Sequence, residues 1–114
     1  MPNLLYLWRE QRDTRLSPAE IQRRLDADEE VEGLADLPIK DMIDRLKSEF
    51  AGCKETAGQL TWTAGDERFR ASWTWQYMRL EAENLSDEHR DQFFELARSF
   101  GCPVFDPQMN LKME

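Results

Sequence analysis

The chain has 114 residues, of which 40% are hydrophobic and 11% aromatic, and its formal net charge is −8. This composition excludes an intrinsically disordered chain, and the length predicts a single domain over residues 1–114. The acidic balance argues against nucleic acid as a partner, because such a protein needs a basic surface to displace counterions from phosphates.

The first apolar run covers residues 4–8 and predicts a buried strand over residues 3–9. Charged residues follow from Arg9 onward, so the run is too short for a signal peptide or for a membrane span. We therefore expect a cytoplasmic protein without membrane contact. Its two cysteines, Cys53 and Cys102, are then expected to be reduced thiols.

Three helices are predicted from their start signals and from apolar periodicity. Ser17 and Pro18 begin a short helix that ends near residue 27. Pro38 begins a second helix, over residues 38–51, whose apolar residues form one stripe. The third helix follows Ser86 and continues to about residue 100. A glycine directly follows each of the last two helices, which is typical of a left-handed helix end.

The middle of the chain alternates between apolar and polar residues and predicts strands. Residues 59–63 and 67–73 form two strands joined by the turn Ala64-Gly65-Asp66. Between residues 73 and 78 the apolar positions change from odd to even, which one straight strand cannot accommodate. We predict a turn across residues 74–77 and a further strand over 78–83. One long bulged strand is the alternative.

A last strand is predicted at Val104 and Phe105, and the residues from about Asn110 are expected to be frayed. The element order β-α-α-β-β-β-α-β predicts an α+β fold. The expected form is a ferredoxin-like two-layer sandwich, with a mostly antiparallel sheet and helices on one face. In this arrangement the first strand is central, and the last strand pairs beside it at the sheet edge.

An acidic segment without Lys or Arg follows the first helix. Six carboxylates within residues 26–36 predict an exposed loop, which Val31 and Leu34 attach to the body. The acids lack the spacing of an EF-hand loop, so neither a metal nor another cofactor is expected. The acids selected as candidate contacts for a partner protein are Asp26, Asp28, Glu29, Glu30 and Glu32.

The aromatic residues form the second candidate feature, because the four tryptophans lie on predicted strands or beside them. We expect at least one of Trp8, Trp62 and Trp75 to be partly exposed on an open sheet face. Together with Tyr77, Trp62 and Trp75 are selected as candidate protein contacts, since exposed aromatic residues often anchor interfaces. The alternative is that these aromatic residues enlarge a small core.

Catalytic residue sets are sparse in this sequence. His89 is the only imidazole, and Glu88 and Asp91 lie close to it along the chain. A histidine oriented by a carboxylate can act as a general base, but no Ser or Cys nucleophile stands beside it in sequence. We therefore expect no catalytic site. A small enzyme that uses carboxylates or His89 is an alternative.

Two segments, FGCPVFDPQ at residues 100–108 and ERFRASW at residues 67–73, are similar to a group of small bacterial proteins of unknown function. In these proteins a helix ends in glycine, and the short strand that follows closes with an aromatic-Asp-Pro-Gln sequence. Some of them occur in contexts that suggest immunity-like or antitoxin-like roles. The resemblance implies the final strand and a cytoplasmic bacterial setting, and it brings no catalytic residues.

These observations together predict a non-enzymatic protein-binding or regulatory module with immunity-like character. An acidic domain of this kind is suited to a basic protein partner, which its charge can attract and whose active surface it can cover. The alternative is a homodimer or larger homo-oligomer in which the open aromatic sheet face pairs with its twin.

Overall fold

The computed structural model describes residues 3–10, 17–31, 33–109 and 111–113. Within these residues the elements, in chain order, are β1 (Asn3–Glu10), α1 (Pro18–Asp26), β2 (Leu34–Ala35), α2 (Ile39–Glu49), β3 (Lys54–Thr56), β4 (Gln59–Ala64), β5 (Glu67–Trp73), β6 (Tyr77–Glu83), α3 (Asp87–Ser99), β7 (Val104–Asp106) and β8 (Leu111–Met113). The predicted α+β class is confirmed.

The strands form a mostly antiparallel open sheet in the order β3-β4-β5-β6-β1-β7-β8, and β2 pairs only with the end of β1. β1 lies between β6 and β7, so the prediction of a central first strand beside the last predicted strand is confirmed. β7 is not an edge strand, however, because residues 111–113 pair with it. The expectation of a frayed end is wrong for these three residues.

β5 and β6 are two separate antiparallel strands, so the predicted turn is confirmed and the bulged strand is excluded. Trp73 pairs with Met78 and Ala71 with Leu80. This register places odd-numbered residues of β5 opposite even-numbered residues of β6. The change of parity therefore keeps the apolar side chains of both strands on the same face.

The two faces of β1 are both apolar, and each is covered by helices. Leu5 and Leu7 lie in a large cluster with residues of α2 and α3, whereas Tyr6 and Trp8 lie in a second cluster with residues of α1. The expectation of helices on one face is therefore wrong. A central strand without polar alternation needs cover on both sides, and α1 supplies it on the second side.

The helix ends follow the predicted signals. The Oγ atom of Ser17 accepts a hydrogen bond from the Glu20 amide at 3.2 Å, and the Oγ atom of Ser86 accepts one from the His89 amide at the same distance. Each bond satisfies an amide that the first helical turn leaves without a partner. Among the described helices, none has the length and apolar character needed to cross a membrane.

Candidate protein-contact site

The acidic loop begins where α1 ends and is held to that helix by its backbone. The amide of Asp28 donates to the Leu25 carbonyl, and the amide of Glu29 donates to the Arg24 carbonyl, both at 3.0 Å. Asp28 takes a φ of 59°, a left-handed conformation that Asp tolerates better than most residues. Asp26, Asp28, Glu29 and Glu30 are exposed, as predicted. Glu32 lies outside the described residues.

Gln76 fastens this loop to the turn between β5 and β6. Its Oε1 accepts a hydrogen bond from the Val31 amide, and its Nε2 donates to the Val31 carbonyl, both at 2.9 Å. Gln76 is only 4% exposed, so both bonds replace water that the buried groups have lost. The amide of Leu37 also donates to the carbonyl of Trp75 at 2.8 Å. The loop and the turn are thus fixed relative to each other.

Trp75 stands at the tip of this turn and is 48% exposed, whereas most other large apolar side chains of the described residues are buried. Beside it lies a shallow hollow of about 130 Å³, which we call the Trp75 hollow. The hollow is lined by Leu25, Asp28, Glu29, Glu30, Thr74, Trp75, Gln76 and Tyr77. The structure therefore brings three of the predicted acids together with two of the predicted aromatic residues.

Tyr77 lines the hollow as a buried residue, since its side chain is only 9% exposed. Its ring stacks on that of Tyr6, with ring centres 6.1 Å apart and planes at 10°. The hydroxyl of Tyr6 donates to the Asp26 carboxylate at 3.0 Å. Burial, and then this hydrogen bond, raises the pKa of Tyr6 to about 12. Asp26 thus ties the start of the loop to the sheet and does not line the hollow.

Trp62 does not line this hollow, and it is buried rather than exposed as its selection as a contact assumed. It is 7% exposed, and its Nε1 donates to the Ala51 carbonyl at 3.1 Å. Trp62 pairs with Phe69 across β4 and β5, so both side chains point to the large cluster. The observed turn has only two residues, Gly65 and Asp66, whereas a turn over residues 64–66 would have placed Trp62 opposite Arg68. The available signal was the alternation of residues 59–63, which puts Leu60 and Trp62 on one face of the strand. Trp8 is fully buried.

The open part of the sheet lies over β4, β5 and β6 on the side away from α2 and α3. It carries polar and charged side chains, which are Thr61, Thr63, Arg68, Arg70, Glu81 and Glu83. Arg68 pairs with Glu83, and Arg70 pairs with Glu81. The expected open aromatic face is therefore absent from this region of the described sheet. The exposed tryptophan lies instead in a turn.

His89 has a carboxylate partner, but not one of its neighbours along the chain. Its Nδ1 lies 2.7 Å from a carboxylate oxygen of Glu67, and the Ser86 amide donates to the same oxygen at 2.8 Å. This amide, followed by the histidine, lowers the pKa of Glu67. The imidazole packs 5.3 Å from Phe50 and 5.2 Å from Trp62, measured between ring centres. His89 therefore joins α3 to β5 and lies outside the Trp75 hollow.

The described residues contain no group of three or more His, Cys, Asp or Glu side chains arranged to hold a metal ion. Both cysteines are free: Cys102 is buried and Cys53 is half-buried. Burial raises the pKa of Cys102 to about 11, which disfavours the reactive thiolate. No family model matches the chain, and the curated proteins contain no significant match to it.

Proposed function

We propose that this protein is a non-enzymatic binding module that contacts a basic partner protein through the acidic loop and Trp75. The proposal rests on one observation. A half-exposed tryptophan and the carboxylate-bearing residues Asp28, Glu29 and Glu30 line one shallow hollow. This combination is typical of an interface with an aromatic anchor and a charged rim.

The acidic rim and the aromatic anchor have different physical roles in this proposal. Exposed carboxylates attract a basic partner over a distance of about one Debye length, roughly 8–10 Å at ordinary salt, and raise the rate of encounter. Trp75 supplies apolar area that leaves water on binding, which slows dissociation.

The site is also preorganised. The two bonds from Gln76 to Val31 and the bond from Leu37 to Trp75 hold the loop and the turn in place before any partner arrives. A surface that is already ordered loses less conformational entropy on binding, so more of the contact energy remains as affinity.

We further propose an immunity-like role in the cytoplasm, in which the partner is a basic toxic protein and the acidic surface covers its active region. The similarity of residues 100–108 to small bacterial proteins, together with the two free cysteines, favours this setting.

For the fold, we propose a ferredoxin-like core formed by β1, α2, β5, β6, α3 and β7. The strand order β5-β6-β1-β7 supports it, with α1, β3, β4 and β8 as additions.

The test is direct binding to basic proteins encoded beside this one, measured by calorimetry with purified components. Trp75→Ala is expected to weaken binding at least about thirtyfold, the usual effect of removing an interface anchor worth about 2 kcal/mol. The double variant Glu29→Gln/Glu30→Gln should mainly slow association and reduce its dependence on salt.

The matched control is Asp44→Asn/Asp91→Asn, which removes the same charge from exposed positions of α2 and α3. This control should retain most of the affinity. If the control and Glu29→Gln/Glu30→Gln weaken binding equally, net charge explains the interaction and the proposed site is wrong. If none of the basic neighbours binds the wild-type protein, the proposed function is wrong.

A further inference from the structure

We infer that the Trp75 hollow receives a single arginine side chain of the partner, whose guanidinium stacks on the indole of Trp75 and bonds to the carboxylates beside it. This inference rests on the proposed function and specifies the partner group that the site recognises. It concerns the ligand class, so it can fail while the binding module itself is correct.

The dimensions of the hollow limit what can enter it. An α-helix with its side chains is about 10 Å across, and a strand needs a sheet edge to pair with. A shallow hollow of about 130 Å³, beside a turn rather than a strand edge, has room for one side chain. The partner's backbone must therefore remain outside, with one residue projecting inward.

The lining determines which side chain fits. The π face of Trp75 attracts a cation, and tryptophan is the best aromatic residue for this interaction. The exposed carboxylates of Asp28, Glu29 and Glu30 add the opposite charge on the loop side. An apolar side chain could pack on the indole, but it would give these carboxylates no charged or hydrogen-bonding partner. An acidic side chain would be repelled by them.

Arginine matches this lining better than lysine. Its guanidinium is planar, so it can stack on an indole while its edge donates two parallel hydrogen bonds to a carboxylate. The ammonium of lysine is compact and more strongly hydrated, and it cannot do both at once. The bonds from Gln76 hold the backbone of the loop beside the turn that carries Trp75, so the acids and the indole line the same hollow and a planar group can contact both.

The experiment compares hexa-arginine and hexa-lysine peptides, which carry the same charge, in titrations of the full-length protein at one salt concentration. The affinity for each peptide is measured by calorimetry in the wild type and in every variant. In the wild type, the NMR shift of the Trp75 indole N–H, which is assigned from its loss in Trp75→Phe, reports contact at the hollow. We expect hexa-arginine to bind about fivefold more tightly than hexa-lysine and to shift this signal. Trp75→Ala should abolish the preference.

The variants separate the possible outcomes. Glu29→Gln/Glu30→Gln should weaken hexa-arginine more than the charge-matched control Asp44→Asn/Asp91→Asn does. Equal affinity for the two peptides, or a preference that survives in Trp75→Ala, would overturn the inference. If the basic partner then still loses affinity in Trp75→Ala, the module stands and only the arginine assignment fails. Circular dichroism of each variant verifies that it is folded.

Discussion

The two sides of the sheet differ in what their apolar clusters do. On one side, α2 and α3 cover residues of β1, β4, β5, β6 and β7, and aromatic rings meet closely around Phe50. On the other side, the cluster formed with α1 is smaller and reaches only β1, β2, the start of β6, and β7. The large cluster spans the sheet, whereas the small one supports the acidic loop and the Trp75 hollow.

This difference separates stability from recognition within a small chain. The buried rings of the large cluster are turned inward, and partly buried apolar side chains such as Trp73 and Phe94 pack against it. The small cluster has Leu25 and Tyr77 both within it and in the lining of the hollow. Changes on the first side should therefore act on global unfolding, and changes on the second side should act first on the shape of the binding surface.

The largest effect is expected from Phe50→Ala. Phe50 is 1% exposed, and its ring contacts those of Trp62, Phe69, His89 and Phe93. Loss of this ring leaves a cavity and should reduce the free energy of unfolding by about 4 kcal/mol in urea denaturation. The matched change on the other side, Phe105→Ala, should cost about 3 kcal/mol. A larger loss for Phe105→Ala would contradict the assignment of the main core to the large cluster.

A smaller but more local effect is expected from Gln76→Ala. The change leaves the Val31 amide and carbonyl without their buried partner and should cost about 3 kcal/mol or less, depending on how far water enters. Hydrogen exchange should rise first in residues 27–31. The control is Gln59→Ala at an exposed position, which should change stability by less than about 0.5 kcal/mol. Unaltered exchange in the loop would show that Gln76 does not hold it.

The smallest effect concerns alkaline pH. Tyr6 has a pKa of about 12 in the folded protein against about 10 in the unfolded chain. Between these values the unfolded state releases a proton that the folded state retains, so stability should fall as pH rises, by about 2 kcal/mol by about pH 11.5. Below about pH 10 the contribution is fully present. Tyr6→Phe should flatten this decline in urea denaturation between about pH 9 and pH 11.5.

Tyr77→Phe provides the comparison, because burial raises the pKa of Tyr77 as well, in the same direction. Tyrosinate absorbance in Tyr77→Phe follows Tyr6 alone. Titration of Tyr6 near its ordinary pKa would show that its hydroxyl is not buried against Asp26 as described.

Periodic segments were predicted well from the sequence, and short strands without a visible period were not. The stripe of α2 and the alternation in β4 to β6 repeat often enough to define an element and its buried face. β2, β3 and β8 have two or three residues each, too few to show any period. They form because a neighbouring strand offers free backbone groups, which is information from the whole fold.

The candidate site was predicted in part for a similar reason. Composition alone identified the acidic loop, and the predicted turn at residues 74–77 contained Trp75, although the exposed tryptophan was expected on an open sheet face. The attachment of one to the other depends on Gln76 and Val31, which are 45 residues apart and carry no motif. The sequence also did not predict which face of the sheet α1 covers. Ile21 and Leu25 define the apolar face of this helix, but they do not indicate which part of the sheet that face packs against.

The central position of β1 has a consequence for synthesis on the ribosome. Its partners are Tyr77 and its neighbours on one side and Phe105 and its neighbours on the other, which follow it by about 70 and about 100 residues. At a typical rate of roughly 5–20 residues per second, the apolar segment Leu4–Trp8 waits several seconds or longer before both partners have been made. During this interval the backbone hydrogen-bonding groups along both edges of β1 have no partner in the sheet, so the segment is open to pairing with other chains.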